Sequence, residues 1–483
     1  MYLGLDLGTS GLRVLLVDAS GTPVVSEAES YEAKHPKAGW SEQDPAEWTK
    51  ALDLAMARIK ASHGAQLAQV KGIGVSGHMH GATLLDAGGT VLRPCILWND
   101  TRSFEEAALL DDTPGVRDLS GNIVFPGFTA PKLLWVQKHE PEIFAKVAKV
   151  LLPAAYMNFH LTGETFADMS DSAGTAWLDA GRRAWSDDLL QGGAMTEAQM
   201  PRLVEGCEVG GTLKKALAEA WGIKGEVIVV GGAGDNAAAA CGVGAMKDGQ
   251  GFVSLGTSGV LLTGRDGYAP LPASAVHTFC HAVPGQWYQM GVILAATDSL
   301  NWLSRVTGSK PAELSKELGS SIQGPERLRF LPYLSGERTP HNDSHIRGAF
   351  LNLSVEHDRK AMTQAVMEGV SFALRDCAEA IGQTGATLGG LLAIGGGAAS
   401  RFWLETIATV LNLPLDLPEA GDFGAALGAA RLAMVGAGGG SVEEIMTRPS
   451  VAGTVEPKTA LVAAYEDAYQ AYKASYPALK SLG

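Results

Sequence analysis

The sequence lacks the features that would direct a protein to nucleic acid or to a membrane. It has no long run of lysine and arginine, and its formal net charge of -14 over 483 residues would repel polyanions. It also has no apolar run near membrane-spanning length, and no basic segment ahead of its apolar N-terminal stretch. We therefore expect neither a nucleic-acid partner nor a membrane partner.

Several chemical signatures are absent as well. The five cysteines are scattered without a C-x-x-C pair, which argues against a zinc site or a disulfide framework and favours a reducing cytoplasm. The nucleotide-binding pattern G-x-x-x-x-G-K-[ST] does not occur. G-x-G-x-x-G matches at 72–77, but within a predicted strand, and the similar loop at 232–237 lacks the acidic residue expected after the next strand. A dehydrogenase is therefore disfavoured.

The clearest positive feature is an internal repeat. The string LGTSG occurs at 7–11 and again at 255–259, each time between two apolar, strand-forming runs. Each copy predicts a β-hairpin, and the same string in the same context half a chain apart favours an ancient duplication. A chain of this length is also expected to form more than one domain, so we predict two related lobes.

Helical and strand patterns alternate along both halves, which predicts α/β layers. We place the domain division near residue 244, giving an N-terminal lobe of 1–244 and a C-terminal lobe of 245–483. Residues 437–457 are rich in Gly, Ser, Pro and acidic residues and are predicted to be a surface connection. The principal predicted helices are 45–62, 359–382 and 458–476, and the principal predicted strands are 70–75, 227–230 and 391–394.

The two repeated turns are candidate phosphate-binding loops. Small residues at a tight turn let backbone N–H groups and hydroxyls converge on phosphate oxygens. Asp6, which precedes the first turn, would face Mg²⁺, an ion that prefers oxygen ligands. The alternative is a plain hairpin turn capped by Asp6, and the second copy favours paired phosphate clamps. The candidate residues are Gly8, Thr9 and Ser10 in the first turn and Gly256, Thr257 and Ser258 in the second.

Asp235 is the candidate catalytic residue. It follows a predicted strand and a glycine-rich turn, and it precedes Asn236 and an alanine-rich helical segment. As a general base it would take the proton of an attacking sugar hydroxyl. A helix N-cap role that needs no catalysis stays open.

Two further segments leave more than one interpretation open. His78 and His80 end a predicted strand and could bind a metal, occupy a hydrogen-bonded structural position or contact a sugar hydroxyl. The glycine-rich segment at Gly396, Gly397 and Ala398 could bind adenosine or simply begin a helix.

These segments, in this order, resemble the phosphate and adenosine segments of the actin-like ATPase superfamily. Within that superfamily, the string FTAPKLLW at 128–135 and the loop at 232–237 resemble the FGGY carbohydrate kinases. The strings WSEQDP at 40–45, LWND at 97–100 and LPYLSGERTP at 331–340, together with Met79 and His80, resemble the xylulokinase branch of that family. The similarity spans nearly the whole chain, although His78 stands where Gln is usual.

The resemblance implies an α/β fold of two ribonuclease H-like lobes with a central cleft. It implies ATP with Mg²⁺ as cofactor and phosphorylation of D-xylulose to D-xylulose 5-phosphate. Met79, His80, Asp235 and Asn236 would bind the sugar. Another ketose or polyol as substrate, such as ribulose, xylitol or glycerol, and an actin-like ATPase without a sugar acceptor are the alternatives. Assembly into a homodimer is left open.

Overall fold

The computed structural model describes residues 1–419 and 424–482, and two seven-stranded mixed sheets organise the fold. The first sheet has the order β5-β6-β4-β1-β2-β3, and the short strand β7 pairs with the end of β4. Its strands are β1 (Tyr2–Leu7), β2 (Gly11–Val17), β3 (Pro23–Ser30), β4 (Gly72–Gly77), β5 (Val209–Thr212), β6 (Ile228–Val230) and β7 (Ala233–Gly234).

The second sheet has the order β10-β11-β9-β8-β12-β13-β14. Its strands are β8 (Gly249–Leu255), β9 (Gly259–Arg265), β10 (His277–Cys280), β11 (Trp287–Ile293), β12 (Leu388–Ile394), β13 (Leu415–Pro418) and β14 (Val451–Val455). Five two-stranded ribbons pair Glu42–Gln43 with Cys95–Ile96, Thr83–Leu85 with Lys149–Leu151, Phe166–Asp168 with Arg202–Val204, Leu178–Asp179 with Ala184–Trp185, and Arg329–Leu331 with Ala349–Leu351.

The two sheets repeat one strand arrangement. In the first, β1, β2 and β3 form an antiparallel meander, and β4 and then β6 continue it in parallel. In the second, β8, β9 and β11 form the meander, and β12 and then β13 continue it in parallel. Both predicted hairpins are therefore confirmed, and the shared arrangement agrees with the duplication inferred from the repeated string.

Helices cover both sheets. The longer ones are α1 (Pro45–Leu67), α2 (Phe104–Asp111), α3 (Thr129–His139), α4 (Pro153–Thr162), α5 (Asp235–Val243), α6 (Thr297–Thr307), α7 (Pro311–Leu318), α8 (Arg359–Gln383), α9 (Arg401–Leu411), α10 (Gly424–Gly436) and α11 (Val462–Lys473). The shorter ones are Val116–Ser120, Pro141–Phe144, Met169–Ser172, Asp187–Gly192, Lys215–Trp221, Val442–Ile445 and Ser475–Lys480.

Local signals explain where the predicted helices begin. At α1, the Asp44 side chain accepts from Ala46 N at 3.0 Å and Pro45 occupies the first turn, where its missing N–H costs nothing. At α8, the Asp358 side chain accepts from Ala361 N at 2.9 Å. Both predicted helices are confirmed.

The second half also contributes a helix to the first sheet. Helix α10 packs against β1 and β4 and against α5, through small residues on both sides. A Cβ on Gly74 of β4 would lie 2.0 Å from the Ala429 carbonyl oxygen, so only glycine permits this approach. The division near residue 244 stays a prediction, because α10 packs on the sheet of the other half.

The edge of the second sheet contacts the first half directly. The Asn122 side chain makes two hydrogen bonds with the backbone of Thr278, both of 3.0 Å. Its Nδ2 donates to the Thr278 carbonyl, and its Oδ1 accepts from the Thr278 N–H. The Trp287 indole N–H donates to the Ala180 carbonyl at 2.7 Å. Strands β10 and β11 are thereby fixed against the parts of the first half that contain Asn122 and Ala180.

Two predictions near the C-terminus are wrong in detail. The segment 437–457 was predicted to be a surface connection, but it contains the helix Val442–Ile445 and the edge strand β14, which pairs with β13. The single predicted helix at 458–476 is replaced by α11 and the separate helix Ser475–Lys480.

Within the described residues, none of the helices combines the length and apolar character needed to cross a membrane.

Candidate active site

The first predicted phosphate loop is held by side chains from three other segments. The Gly8 N–H donates to the Gly11 carbonyl at 2.9 Å, which closes the turn between β1 and β2. The Tyr31 hydroxyl donates to the Gly8 carbonyl at 2.7 Å. Thr9 accepts twice, at its carbonyl from Gln43 Nε2 at 2.5 Å and at its hydroxyl from Trp98 Nε1 at 2.9 Å. The turn is therefore fixed, while the Ser10 side chain is exposed.

The second predicted phosphate loop is held by the start of α6. The Thr297 N–H and hydroxyl both donate to the Gly256 carbonyl, at 3.0 and 2.8 Å, and Ala296 N donates to the Thr257 carbonyl at 2.9 Å. Thr257 itself is exposed and Ser258 is half-buried. This arrangement leaves their side chains accessible.

The predicted adenosine segment lies against the second loop. Gly396, Gly397 and Ala398 form a short helical turn between β12 and α9. A Cβ on Gly397 would lie 2.7 Å from the Leu255 side chain, at the end of the strand that enters the second loop. The structure thus brings these two segments together.

Two cavities lie beside these loops. One of about 470 Å³ is lined by Asp6, Gly8 and Ser10 from the first half and by Ser254 and Ile394 from the second. Another of about 580 Å³ is lined mainly by α6, α7 and the adenosine segment, including Gly396, Gly397, Thr297, Ser315 and Arg401. The first cavity fits a charged phosphate chain, and the second fits a flat apolar base. Thr9, Gly256, Thr257, Ser258 and Ala398 line neither of them.

Asp235 lies at the first residue of α5 and is partly exposed. Its Oδ1 accepts from the Asn236 N–H at 2.7 Å and from Asn236 Nδ2 at 2.8 Å, which leaves Oδ2 for another partner. The surrounding protein, and next the charge of Asp6, raise the pKa of Asp235 to about 7. A carboxylate with a pKa near neutrality is well suited to accept a proton from a hydroxyl.

Asp6 and Asp235 lie close enough for the charge of Asp6 to raise the pKa of Asp235. The Ser76 hydroxyl donates to Asp6 Oδ1 at 3.4 Å, and Asp6 lies at the end of β1 beside the first loop. One or two carboxylates next to phosphate oxygens and water are the surroundings in which Mg²⁺ is usually bound. These residues therefore fit the ion.

Met79 and His80 follow β4 and lie close to Asp235, since a Cβ on the preceding Gly234 would touch the Met79 side chain at 2.9 Å. Burial lowers the pKa of His80 to about 3, so its ring is neutral. His80 Nδ1 lies 2.6 Å from the Gly174 carbonyl, which can only accept, so Nδ1 carries the proton. Nε2 is then an acceptor for a hydroxyl group.

The H-x-H metal interpretation is not supported. The His78 ring is buried edge-on against Trp48, whereas the His80 ring stacks on Phe128 at 4.7 Å. No group of three or more potential metal ligands among His, Cys, Asp and Glu occurs in residues 1–419 and 424–482.

The sequence did not identify several polar groups around this site. Lys132 is buried, and its Nζ donates to the carbonyls of His80 and Gly127, at 2.7 and 2.6 Å, which fixes the backbone after β4. Gln43, Trp98 and Arg338 lie within the sequence strings that resemble the xylulokinase branch. The spacing of residues in those strings did not predict what their side chains would contact. Membership in those strings was the sequence signal that could have identified these residues.

Known proteins resemble this chain over its full length. Residues 1–242 match the N-terminal domain, and residues 251–437 the C-terminal domain, of the FGGY family of carbohydrate kinases. The chain is 44% identical to a xylulose kinase of Escherichia coli (strain K12) with 100% of both chains covered, and 47% identical to one of Klebsiella pneumoniae with 90% of both covered.

A crystal structure of a xyloylose kinase from Brucella ovis superposes with a TM-score of 0.98, at 55% identity and with 100% of both chains covered. This likeness agrees with the predicted fold of two related lobes, which is confirmed. The repeated loops, the full-length matches and the superposition lead to one conclusion: the chain belongs to the FGGY family of carbohydrate kinases.

Proposed function

We propose that this protein transfers the γ-phosphoryl group of ATP to the 5-hydroxyl of D-xylulose, giving D-xylulose 5-phosphate and ADP. The observation that carries the proposal is Asp235, a partly exposed carboxylate with one oxygen anchored by Asn236 and with its pKa raised to about 7. The similar xylulose kinases support the choice of sugar. An actin-like ATPase without a sugar acceptor is disfavoured, because the matching family consists of carbohydrate kinases.

In the proposed reaction, Asp235 Oδ2 accepts the proton of the 5-hydroxyl while the hydroxyl oxygen forms a bond to the γ-phosphorus. The bond between that phosphorus and the bridging oxygen breaks, and ADP leaves with the electron pair. Since the transition state of phosphoryl transfer is loose, most of the catalysis comes from positioning and charge stabilisation. Mg²⁺, held by Asp6, would supply neutralisation of the phosphate charge.

We place the nucleotide along the three loops. Backbone N–H groups and hydroxyls of the two repeated turns would bind the phosphates, and the cavity of about 580 Å³ would hold the adenosine. The residues proposed to bind ATP are Gly8, Thr9, Ser10, Gly256, Thr257, Ser258, Gly396, Gly397 and Ala398.

We place the sugar beside Asp235, Asn236, Met79 and His80. His80 Nε2 would accept a hydrogen bond from a sugar hydroxyl, because Nδ1 carries the ring proton. The Met79 side chain, which is buried against Tyr288, would provide an apolar wall for the carbon chain.

Asp235→Asn tests the proposal. We expect kcat to fall by about 10² or more with little change in the KM for ATP, because the amide keeps the size of the side chain but cannot accept the proton. Coupled measurement of ADP release with D-xylulose, L-ribulose, glycerol and xylitol would provide both the rate and the preferred acceptor. The exposed Asp266→Asn is the control and should leave kcat unchanged. Near-normal turnover of Asp235→Asn would refute the role of Asp235.

We further propose that the protein acts in a reducing cytoplasm without a nucleic-acid partner. All five cysteines are free, and four of them are buried, while the net charge of -14 opposes binding to nucleic acid. The oligomeric state is a separate question, and light scattering after gel filtration would distinguish a homodimer from a monomer.

A further inference from the structure

The segment 331–340 of the second half holds the backbone of Arg338 in a fixed position. On one side of Arg338, Glu337 Oε1 accepts from Leu294 N at 3.0 Å. On the other side, Thr339 N donates to the Val292 carbonyl at 3.0 Å, and the Thr339 hydroxyl accepts from Val292 N at 3.1 Å. Both neighbours of Arg338 are thus tied to β11 or to the residue after it, so the backbone at Arg338 is fixed.

The Arg338 side chain reaches across to the first half. Its guanidinium lies 4.6 Å from the centre of the Phe125 ring, in a cation–π contact. Phe125 packs edge-on against Phe128, with ring centres 5.6 Å apart, and Phe128 stacks on His80 at 4.7 Å. Arg338 therefore joins the aromatic cluster that also supports the predicted sugar ligand His80.

The guanidinium has no hydrogen-bond acceptor of its own. In residues 1–419 and 424–482, no carbonyl or carboxylate accepts from its five N–H groups, and the residue is half-buried. The positive charge of Arg338 is among the causes that lower the pKa of both His80 and His277, so it faces their pocket. Unpaired donors in such a position favour binding an oxygen-rich ligand.

A buried cation nearby, Lys132, is already hydrogen-bonded. Lys132 Nζ donates to two carbonyls, those of His80 and Gly127. Arg338 is consequently a positively charged donor that is available to a ligand beside His80.

We infer that Arg338 is a sugar-binding residue contributed by the second half, and that it donates hydrogen bonds to the oxygens at the C1–C2 end of the ketose. This inference rests on the proposed function. Asp235 marks the end of the pocket where the 5-hydroxyl reacts, and the far end of a five-carbon chain extends past Met79 towards His80 and Arg338. A ketone oxygen can only accept hydrogen bonds, which matches a side chain that can only donate them.

Arg338→Met and Arg338→Lys test the inference in the full-length protein. For Arg338→Met we expect the KM for D-xylulose to rise about 10- to 100-fold, the range for loss of a hydrogen bond from a charged group. The KM for ATP should not change. Arg338→Lys keeps the charge over Phe125 but loses the planar fork, so it should give an intermediate KM.

Arg347→Met is the matched control. Arg347 is exposed a few residues further along the chain, and within the described residues its side chain donates only to the Ser344 and Ile346 carbonyls. Its removal should therefore leave the KM for D-xylulose unchanged. Melting temperatures would confirm that each variant is folded.

The outcomes separate this inference from the proposed function. If the wild-type protein does not phosphorylate D-xylulose, the proposed function fails. If it does, and folded Arg338→Lys and Arg338→Met both keep the wild-type KM for D-xylulose, the assignment of Arg338 is overturned. Equal increases in the KM for D-xylulose and for ATP would also overturn it, because they would indicate a general disturbance of the cleft.

Discussion

Asp171 is a buried acidic residue near the candidate base Asp235, and its surroundings indicate a different role. It lies in the short helix Met169–Ser172, is 1% exposed, and neither of its carboxyl oxygens accepts a hydrogen bond within the described residues. Burial first, and then the charges of Asp168 and Asp235, raise its pKa well above the ordinary value. The surroundings of Asp171 therefore favour the neutral acid over the carboxylate.

Replacement by the neutral isostere should be tolerated. We expect Asp171→Asn to keep kcat within about threefold of wild type, because the amide has the size of the carboxyl group and its neutrality suits a site that disfavours the carboxylate. The melting temperature should be equal or higher at pH 8, where the raised pKa of Asp171 makes its ionisation unfavourable. Steady-state kinetics beside Asp235→Asn, with thermal melting, provide the measurement. A loss as large as that of Asp235→Asn would contradict this account and indicate that Asp171 takes part in proton transfer.

At the scale of the element, the contact between α5 and α10 depends on small residues. A Cβ on Gly428 would lie 1.7 Å from the Ala238 carbonyl oxygen, so the two helix backbones touch there. Gly428→Ala should push the helices apart and reduce the free energy of unfolding by about 1–3 kcal/mol, the usual range for overpacking. Chemical denaturation would measure the change.

Gly382→Ala is the matched control for this substitution. Gly382 also lies in a helix, α8, but a Cβ there would meet nothing within 4 Å. Alanine at that position should leave the stability unchanged or raise it by up to about 1 kcal/mol, because it removes the flexibility of glycine. If both variants lost the same stability, helix propensity rather than close packing would explain the result.

Elements with local signals were predictable, and those defined by distant partners were not. The hairpin β1–β2 and the helix α1 carry their turn and capping residues within a few positions. Strand β14 carries no comparable signal, since it is a short edge strand whose only sheet partner within the described residues is β13. The composition of 437–457 therefore suggested a surface connection, and the pairing with a strand more than thirty positions away was not visible.

At the scale of the whole molecule, buried carboxyl groups make stability depend on pH. Glu368 of α8 is buried, and it accepts from the Tyr465 hydroxyl at 3.1 Å and from Glu326 N at 3.0 Å. The pKa of Glu368 is raised to about 7, mainly by burial and further by the charge of Glu326. Because the folded state holds this proton more tightly than the unfolded state, the stability it provides is present at low pH and is lost as pH rises through about 7.

Glu368→Gln tests this dependence. The stability of the wild-type protein relative to Glu368→Gln should fall by roughly 2 kcal/mol between pH 5 and pH 8, because each pKa unit corresponds to about 1.4 kcal/mol. Denaturant titrations at both pH values measure the difference. The exposed Glu142→Gln should show no such change with pH. A constant difference between wild type and Glu368→Gln would contradict the raised pKa of Glu368.

Candidate residues of the active site were found to different extents. Asp235, the two repeated turns and the histidines after β4 were identified from local patterns and from resemblance, and their assignment to substrates remains a prediction. Arg338 and Lys132 were not identified, because their significance comes from Phe125 and from the His80 carbonyl, which are far away along the chain.

The sequence by itself determined the two hairpins, the helix that begins at Asp235 and the family, because turns, caps and motifs depend on residues that are neighbours in the chain. Only the tertiary structure decided that α10 covers the sheet of the other half and that Arg338 faces His80. These contacts join residues hundreds of positions apart, and they follow from how surfaces pack, which no short segment encodes.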